Sequence, residues 1–199
     1  MQAVIDHSVG IDDLSAADVP RKVWTREEAH LLVDLGFPNA HRWELIDGEL
    51  IDKRGKKRPH VIWQGKVHAW LRAVFGDDRV ESEAPSDVAA EDNARNEPEA
   101  DLKVVRRPSK EYASNPQPED ILLIVEISDS TVRFDLGKKA KLYARAAIME
   151  YWVLDIPSKR LVVHREPKDG QYRSVVAYGA QEEVAPLAAP EARFCLERL

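Results

Sequence analysis

The run Ile121-Leu122-Leu123-Ile124-Val125-Glu126-Ile127 constrains this chain more than any other stretch. Its apolar residues do not alternate with polar ones, and four of them are β-branched. Such a run reads as a strand covered on both faces, because it leaves no face for water. The rest of the chain must therefore supply layers on both sides of a central sheet. Glu126 breaks the run. A carboxylate there without a partner would cost several kcal/mol of desolvation. An adjacent cation, a raised pKa or a bound metal can each compensate it, as can an ion pair in the core or a frayed strand end. Buried ionisable groups of this kind are functional-site candidates.

The segments around this strand supply the layers. Residues 1–20 mix Asp, Ser, Ala and Gly without apolar periodicity and read as a loose arm, leaving 21–199 as a single domain. Thr25-Arg26-Glu27-Glu28 has capping-box spacing and opens a short amphipathic helix closed by Gly36. Trp43 to Ile51 alternates around Asp47-Gly48, the signature of a two-residue hairpin. His60 to Phe75 carries Val61, Gln64, Val67, His68 and Leu71 at helical spacing and stops at Gly76. Short strands are expected over Val80–Glu83, Ser86–Ala90 and Asp101–Val105. After Ile127 come a helix over Asp135–Ala147 and strands over Glu150–Ile156, Arg160–Glu166 and Tyr172–Tyr178. The fold class is α/β, with a mixed central sheet, an N-terminal helix and a hairpin.

Asp101 follows the turn-like Pro98-Glu99-Ala100, and a short sheet connection would set its carboxylate beside that of Glu126. Alone it is an ordinary strand-edge aspartate. As a pair, two carboxylates completed by water and phosphate oxygens make the hard oxygen site that Mg²⁺ accepts, with Mn²⁺ as a substitute. On the following helix, Leu136, Ala140, Tyr143 and Ala147 form one stripe, while Lys138, Lys141 and Arg145 face away. Lys139 lies about 60° from the stripe's centre, so it is the lysine able to face inward. Asp135 stands one turn before it for an i,i+4 pair, and the alternative is a border lysine that snorkels. Two carboxylates and an inward ammonium are the equipment of metal-assisted phosphodiester hydrolysis. Glu44 in the hairpin is a candidate third ligand or a strand-surface glutamate.

Other features narrow the field. Of the 199 residues 32% are charged, the net charge is −6, and the longest apolar runs fall far short of a membrane span. The acidic start lacks a secretory leader's pattern, which reads as a cytoplasmic protein. The one cysteine, Cys195, has no partner for a bridge, and no CxxC is present. The charge argues against holding nucleic acid by bulk electrostatics. Local contact stays open through Lys53-Arg54-Gly55-Lys56-Lys57-Arg58, either a solvated loop or a phosphate-contacting one. His60, Gln64 and His68 share a helix face without a third metal ligand, which leaves little for zinc. No Gly-rich phosphate loop, GxSxG or HExxH occurs.

With these residues in view, the chain resembles the Uma-two family of restriction endonuclease-like proteins in the PD-(D/E)XK nuclease superfamily. The resemblance runs from about Trp24 to Val176. It rests on Trp43-Glu44-Leu45-Ile46-Asp47-Gly48-Glu49, His60, Asp101, and Val125 to Thr131. Its most specific part is Phe134-Asp135-Leu136-Gly137-Lys138-Lys139-Ala140-Lys141-Leu142-Tyr143 running into Glu150-Tyr151-Trp152-Val153-Leu154-Asp155. The resemblance implies a restriction-endonuclease-like sheet flanked by helices, Mg²⁺ dependence, Asp101 and Glu126 as the metal-binding pair, and a dimer. The superfamily's lysine stands two residues after the acidic one, where this chain has Ser128, and in this family it looks displaced to Lys139. Ala100 replaces the proline expected before the first aspartate, and Ala146 to Met149 replaces a Gly-containing turn. The expected activity is a metal-dependent endonuclease acting on DNA. The alternatives are an RNA-directed nuclease using the same site, and a catalytically silent module that keeps the fold to bind nucleic acid or protein.

Overall fold

The computed structural model describes residues 20–53 and 55–199. The arm expected over 1–20 thus lies outside the described residues except for Pro20, as does Arg54 of the basic segment. Helix α1 (Arg26–Asp34) opens with the expected capping box: Thr25 accepts from the Glu28 amide and Glu28 accepts from the Thr25 amide. Strands β1 (Trp43–Ile46) and β2 (Glu49–Asp52) form an antiparallel hairpin. Its turn residues Asp47 (φ 48°) and Gly48 (φ 74°) both have positive φ, as a two-residue primed turn requires. A Cβ on Gly48 would collide with Val23 Cγ1, because the Trp24 amide closes on the Gly48 carbonyl at 2.8 Å.

A six-stranded sheet follows chain order: β3 (Val80–Pro85), β4 (Glu99–Val105), β5 (Ile121–Ser128), β6 (Glu150–Asp155), β7 (Arg160–Lys168) and β8 (Gln171–Gly179). Every neighbouring pair is antiparallel except β5 and β6. A parallel pair needs a crossover, and here it is helical, with α3 (Val132–Phe134), a π turn over Asp135–Lys139 and α4 (Ala140–Arg145) in succession. On one face α2 (Arg58–Phe75) and the C-terminal segment bring Val67, Leu71, Phe75, Phe194 and Leu196 against Leu102, Val125 and Trp152. On the other, Ala140, Leu142 and Tyr143 of α4 and Ile46 of the hairpin cover Ile124, Tyr151 and Val153. Both faces of β5 are covered, so the unbroken apolar run has its physical reason.

Three local expectations need correction. Ser86–Ala90 forms no strand, since its amides find loop partners instead: Ser86 N–H donates to the Pro98 carbonyl at 3.1 Å and Val88 N–H to Asn93 Oδ1 at 2.8 Å. Asp101 is the third residue of β4 and does not open it. The crossover helix starts at Val132, ahead of Asp135, and α4 ends at Arg145, which leaves Ala147 exposed beyond the inward stripe with φ 55°. Among the described residues, no helix is long and apolar enough to cross a membrane.

Candidate active site

The site forms where β4 and β5 part. Their register pairs Leu102 with Val125, and one step further sets Asp101 opposite Glu126, where the ladder stops. Side chains take over the backbone groups there. The Asp101 amide donates to Glu126 Oε2 at 3.3 Å, and the Ile127 amide donates to Asp101 Oδ2 at 2.8 Å. Each carboxylate is thus held by the other's strand.

Lys139 reaches the pair from the crossover helix. An i+5 hydrogen bond from the Ala140 amide to the Asp135 carbonyl widens that turn, and both Asp135 and Lys139 are buried. Lys139 Nζ lies 2.9 Å from Glu126 Oε1 and 3.0 Å from Glu44 Oε2. The Tyr143 hydroxyl, one turn on, donates to the same Glu126 oxygen at 3.3 Å. The expected Asp135–Lys139 pair does not form. Asp135 accepts instead from the Ser128 and Thr131 hydroxyls, so it ties the helix start to the end of β5 and leaves the lysine for the glutamates. Glu44 reaches in from β1, buried at 5% exposure, and also accepts the Glu99 amide at 3.3 Å.

Asp101 has a second set of partners on its open side. Lys56 Nζ lies 2.9 Å from Oδ1, and His60 Nε2 lies 3.1 Å from Oδ2. Burial pushes the Asp101 carboxyl up, but His60, Lys56 and the Ile127 amide outweigh it and hold the pKa at about 2. Glu126 goes the other way. Burial pushes it well above the usual carboxylate range against the pull of Lys139, and the charges of Asp101, Asp135 and Glu44 add to the rise. Burial also disfavours the Lys139 ammonium, yet Glu126 and Glu44 more than restore it, so the lysine stays charged. Asp101 is thus biased toward its ionised form and Glu126 toward its neutral form, with Lys139 held between Glu126 and Glu44.

One cavity of about 400 Å³ is walled by Glu44, His60, Asp101, Glu126 and Lys139 and by Lys53, Lys56 and Lys57 of the basic segment. Among the described residues no three His, Cys, Asp or Glu side chains converge as a ready cage for a metal. On α2, His60 Nε2 lies against Asp101 Oδ2, and Gln64 Oε1 accepts from Lys56. A two-carboxylate donor set completed by water is a different matter and suits Mg²⁺, which keeps several waters. Asp101 and Glu126, two carboxylates that each accept an amide from the other's strand and line the same cavity, fit that description.

With this geometry in place, comparison with known proteins identifies the lineage. A family model described as "Putative restriction endonuclease", that of the Uma-two family, matches residues 27–196. The chain belongs to this family. A crystal structure of a protein from Anabaena variabilis, described as "a putative nuclease belonging to DUF820", superposes with a TM-score of 0.65 at 16% identity. The likeness covers 89% of this chain and 96% of the other, and at that identity it is a likeness of fold. No curated protein matches the chain in sequence.

As a member of the Uma-two family the chain has a restriction-endonuclease-like nuclease fold, a mixed sheet flanked by helices. The Asp-x3-Lys-x3-Tyr run is the inner side of the crossover helix, with each member in use: Asp135 on Ser128 and Thr131, Lys139 and Tyr143 on Glu126. Two roles are not evident from spacing. Lys56 is one cation among several in its loop, and its contact with Asp101 spans 45 residues. His60 faces Asp101 from the first turn of α2; the family resemblance includes it as a landmark, but helical spacing alone gives it no role at the carboxylates.

Proposed function

We propose that this protein is a divalent-metal-dependent endonuclease that hydrolyses phosphodiester bonds in DNA. The observation that carries the reading is the meeting of Asp101, Glu126 and Lys139 at one cavity, from two strands and a helix, in a chain of a restriction endonuclease-like family. Asp101 and Glu126 would hold Mg²⁺, or Mn²⁺ in its place. When bound, the ion would supply a Lewis acid that activates water and offsets phosphate charge. Lys139 is fixed between two glutamates and lines the cavity, so its ammonium can stabilise the charge that builds on the phosphate in the transition state. Lys53, Lys56 and Lys57 line the same cavity, Lys53 paired with Glu99 and Lys56 with Glu83 and Asp101.

The test is cleavage of supercoiled plasmid with Mg²⁺ or Mn²⁺, with EDTA as the blank. Wild-type protein should nick and linearise the DNA, while Glu126→Gln and Lys139→Ala should each lose about a hundredfold or more in rate. Folded protein that cuts RNA and leaves DNA intact would move the substrate to RNA. Folded protein that cuts neither with either metal would leave a silent binding module on the nuclease fold.

A further inference from the structure

The two lysines at the carboxylate pair hold different positions. Lys139 is buried and is caught between glutamates. Lys56 sits on the loop between the hairpin and α2, and its side chain is 28% exposed. An ammonium has three hydrogens to donate. Lys56 Nζ has three acceptors, each at 2.9 Å: Gln64 Oε1, Glu83 Oε1 and Asp101 Oδ1. The acceptors are themselves joined, because Gln64 Nε2 donates to Glu83 Oε1 and to the Asp101 carbonyl, both at 3.3 Å. Glu83 holds its place from a left-handed backbone, φ 51°, which is costly for a residue with a Cβ. The ammonium therefore rests in a cradle of oxygens drawn from three elements.

The oxygens of Asp101 are divided. Oδ2 is filled by the Ile127 amide and His60. Oδ1 is the oxygen left for a cation, and Lys56 holds it. We propose that Lys56 is a built-in placeholder: its ammonium fills the cation position at Asp101 Oδ1 in the metal-free protein and has to leave when a divalent ion binds. The displaced lysine stays tethered at the wall of the same cavity, so it becomes a contact for a substrate phosphate. Metal binding and loop position are then linked through a single oxygen atom. This inference rests on the reading of Asp101 as a metal ligand.

The experiment is a Mn²⁺ titration followed by the electron paramagnetic resonance signal of the free ion, on wild type, Lys56→Gln and Lys57→Ala, with thermal melts to show that each is folded. Lys57→Ala removes the same charge from the same loop, and Lys57 has no ion pair among the described residues, so it measures the general field effect. Lys56→Gln should bind Mn²⁺ about fivefold tighter than wild type, the size of one modest ion pair removed from competition, and Lys57→Ala should stay within about twofold. Equal affinity in wild type and Lys56→Gln, an equal gain in both variants, or weaker binding in Lys56→Gln would each overturn the placeholder while leaving the metal site standing. Absence of Mn²⁺ binding in all three would overturn the metal reading of Asp101 and the placeholder with it.

Discussion

Asp101 and Glu126 stand opposite each other on β4 and β5, and each carboxylate accepts a backbone amide from the other's strand, at 2.8 Å from Ile127 and 3.3 Å from Asp101. The exchange replaces a rung of the ladder, so the strands part without leaving buried amides unpaired. It also gives the two acids opposite electrostatics. His60 and Lys56 hold the Asp101 carboxyl low at the open side, and burial pushes the Glu126 carboxyl up at the closed side.

That difference predicts a pH-dependent stability. The folded pKa of Glu126 lies above its ordinary value of 4.5, so from about pH 4.5 upward the native state holds a proton that the unfolded chain has released. Stability attributable to Glu126 therefore falls as pH rises, by up to about 1.4 kcal/mol per pH unit while the proton is retained. Glu126→Gln has similar shape and nothing to titrate. Its stability relative to wild type should climb over a pH series that starts at about 4.5 and runs upward, in urea denaturation with EDTA present. A difference that stays flat across that range would mean that Glu126 is ionised in the folded protein.

Glu150 opens the Glu-Tyr-Trp strand and is fully buried, yet it lies apart from the cavity. It accepts from Trp152 Nε1 at 2.9 Å, from the Leu187 amide at 2.7 Å and from the Arg165 guanidinium. The carboxylate pins the C-terminal segment to β6 and β7. Arg165→Met strips the compensating charge and should destabilise by about 3 kcal/mol, while Mn²⁺ affinity stays at the wild-type value. A loss of metal affinity in folded variant would tie this staple to the active site.

Ala147 holds a left-handed backbone that has a measurable cost. Its φ of 55° places a Cβ where glycine is at ease, and the Ala147 amide closes the turn on the Ala144 carbonyl at 3.1 Å. The exposed side chain gives little in return. Ala147→Gly should stabilise by about 1 kcal/mol and raise Tm by about 3 °C in a calorimetric scan. An unchanged or lower Tm would show that the backbone there carries no strain.

How much of this is legible before folding depends on the range of the interaction. The hairpin, the capping box and the doubly covered strand are set by neighbours in sequence, and Asp47-Gly48, Thr25-Glu28 and Ile121 to Ile127 announce them. The helical angle of Lys139 relative to Tyr143 points it inward, and the lysine is buried against Glu126. The partner of Asp135 is not predictable that way, because the π turn and two hydroxyls, Ser128 and Thr131, compete for its carboxylate. The Lys56 cradle joins residues from a loop, a helix and two strands, and no local pattern encodes it. Likewise Ser86–Ala90 alternates like a strand, but Pro98 and Asn93 take its amides.

Glu44 poses the sharpest remaining question at the site, since a carboxylate in that cavity can serve either a metal or the lysine. Its Oε2 accepts Lys139 at 3.0 Å and the Glu99 amide at 3.3 Å, which commits that oxygen to nitrogen donors. Its charge also raises the Glu126 pKa. If Glu44 is the lysine's counter-ion, Glu44→Gln lets Glu126 ionise more readily, leaves Lys139 balanced by Glu126, and keeps Mn²⁺ affinity at or above the wild-type value. If it is a ligand, the loss of one carboxylate should weaken Mn²⁺ binding by about tenfold or more. The geometry favours the first outcome, and the sign of the change in Mn²⁺ affinity at about pH 7 decides between them.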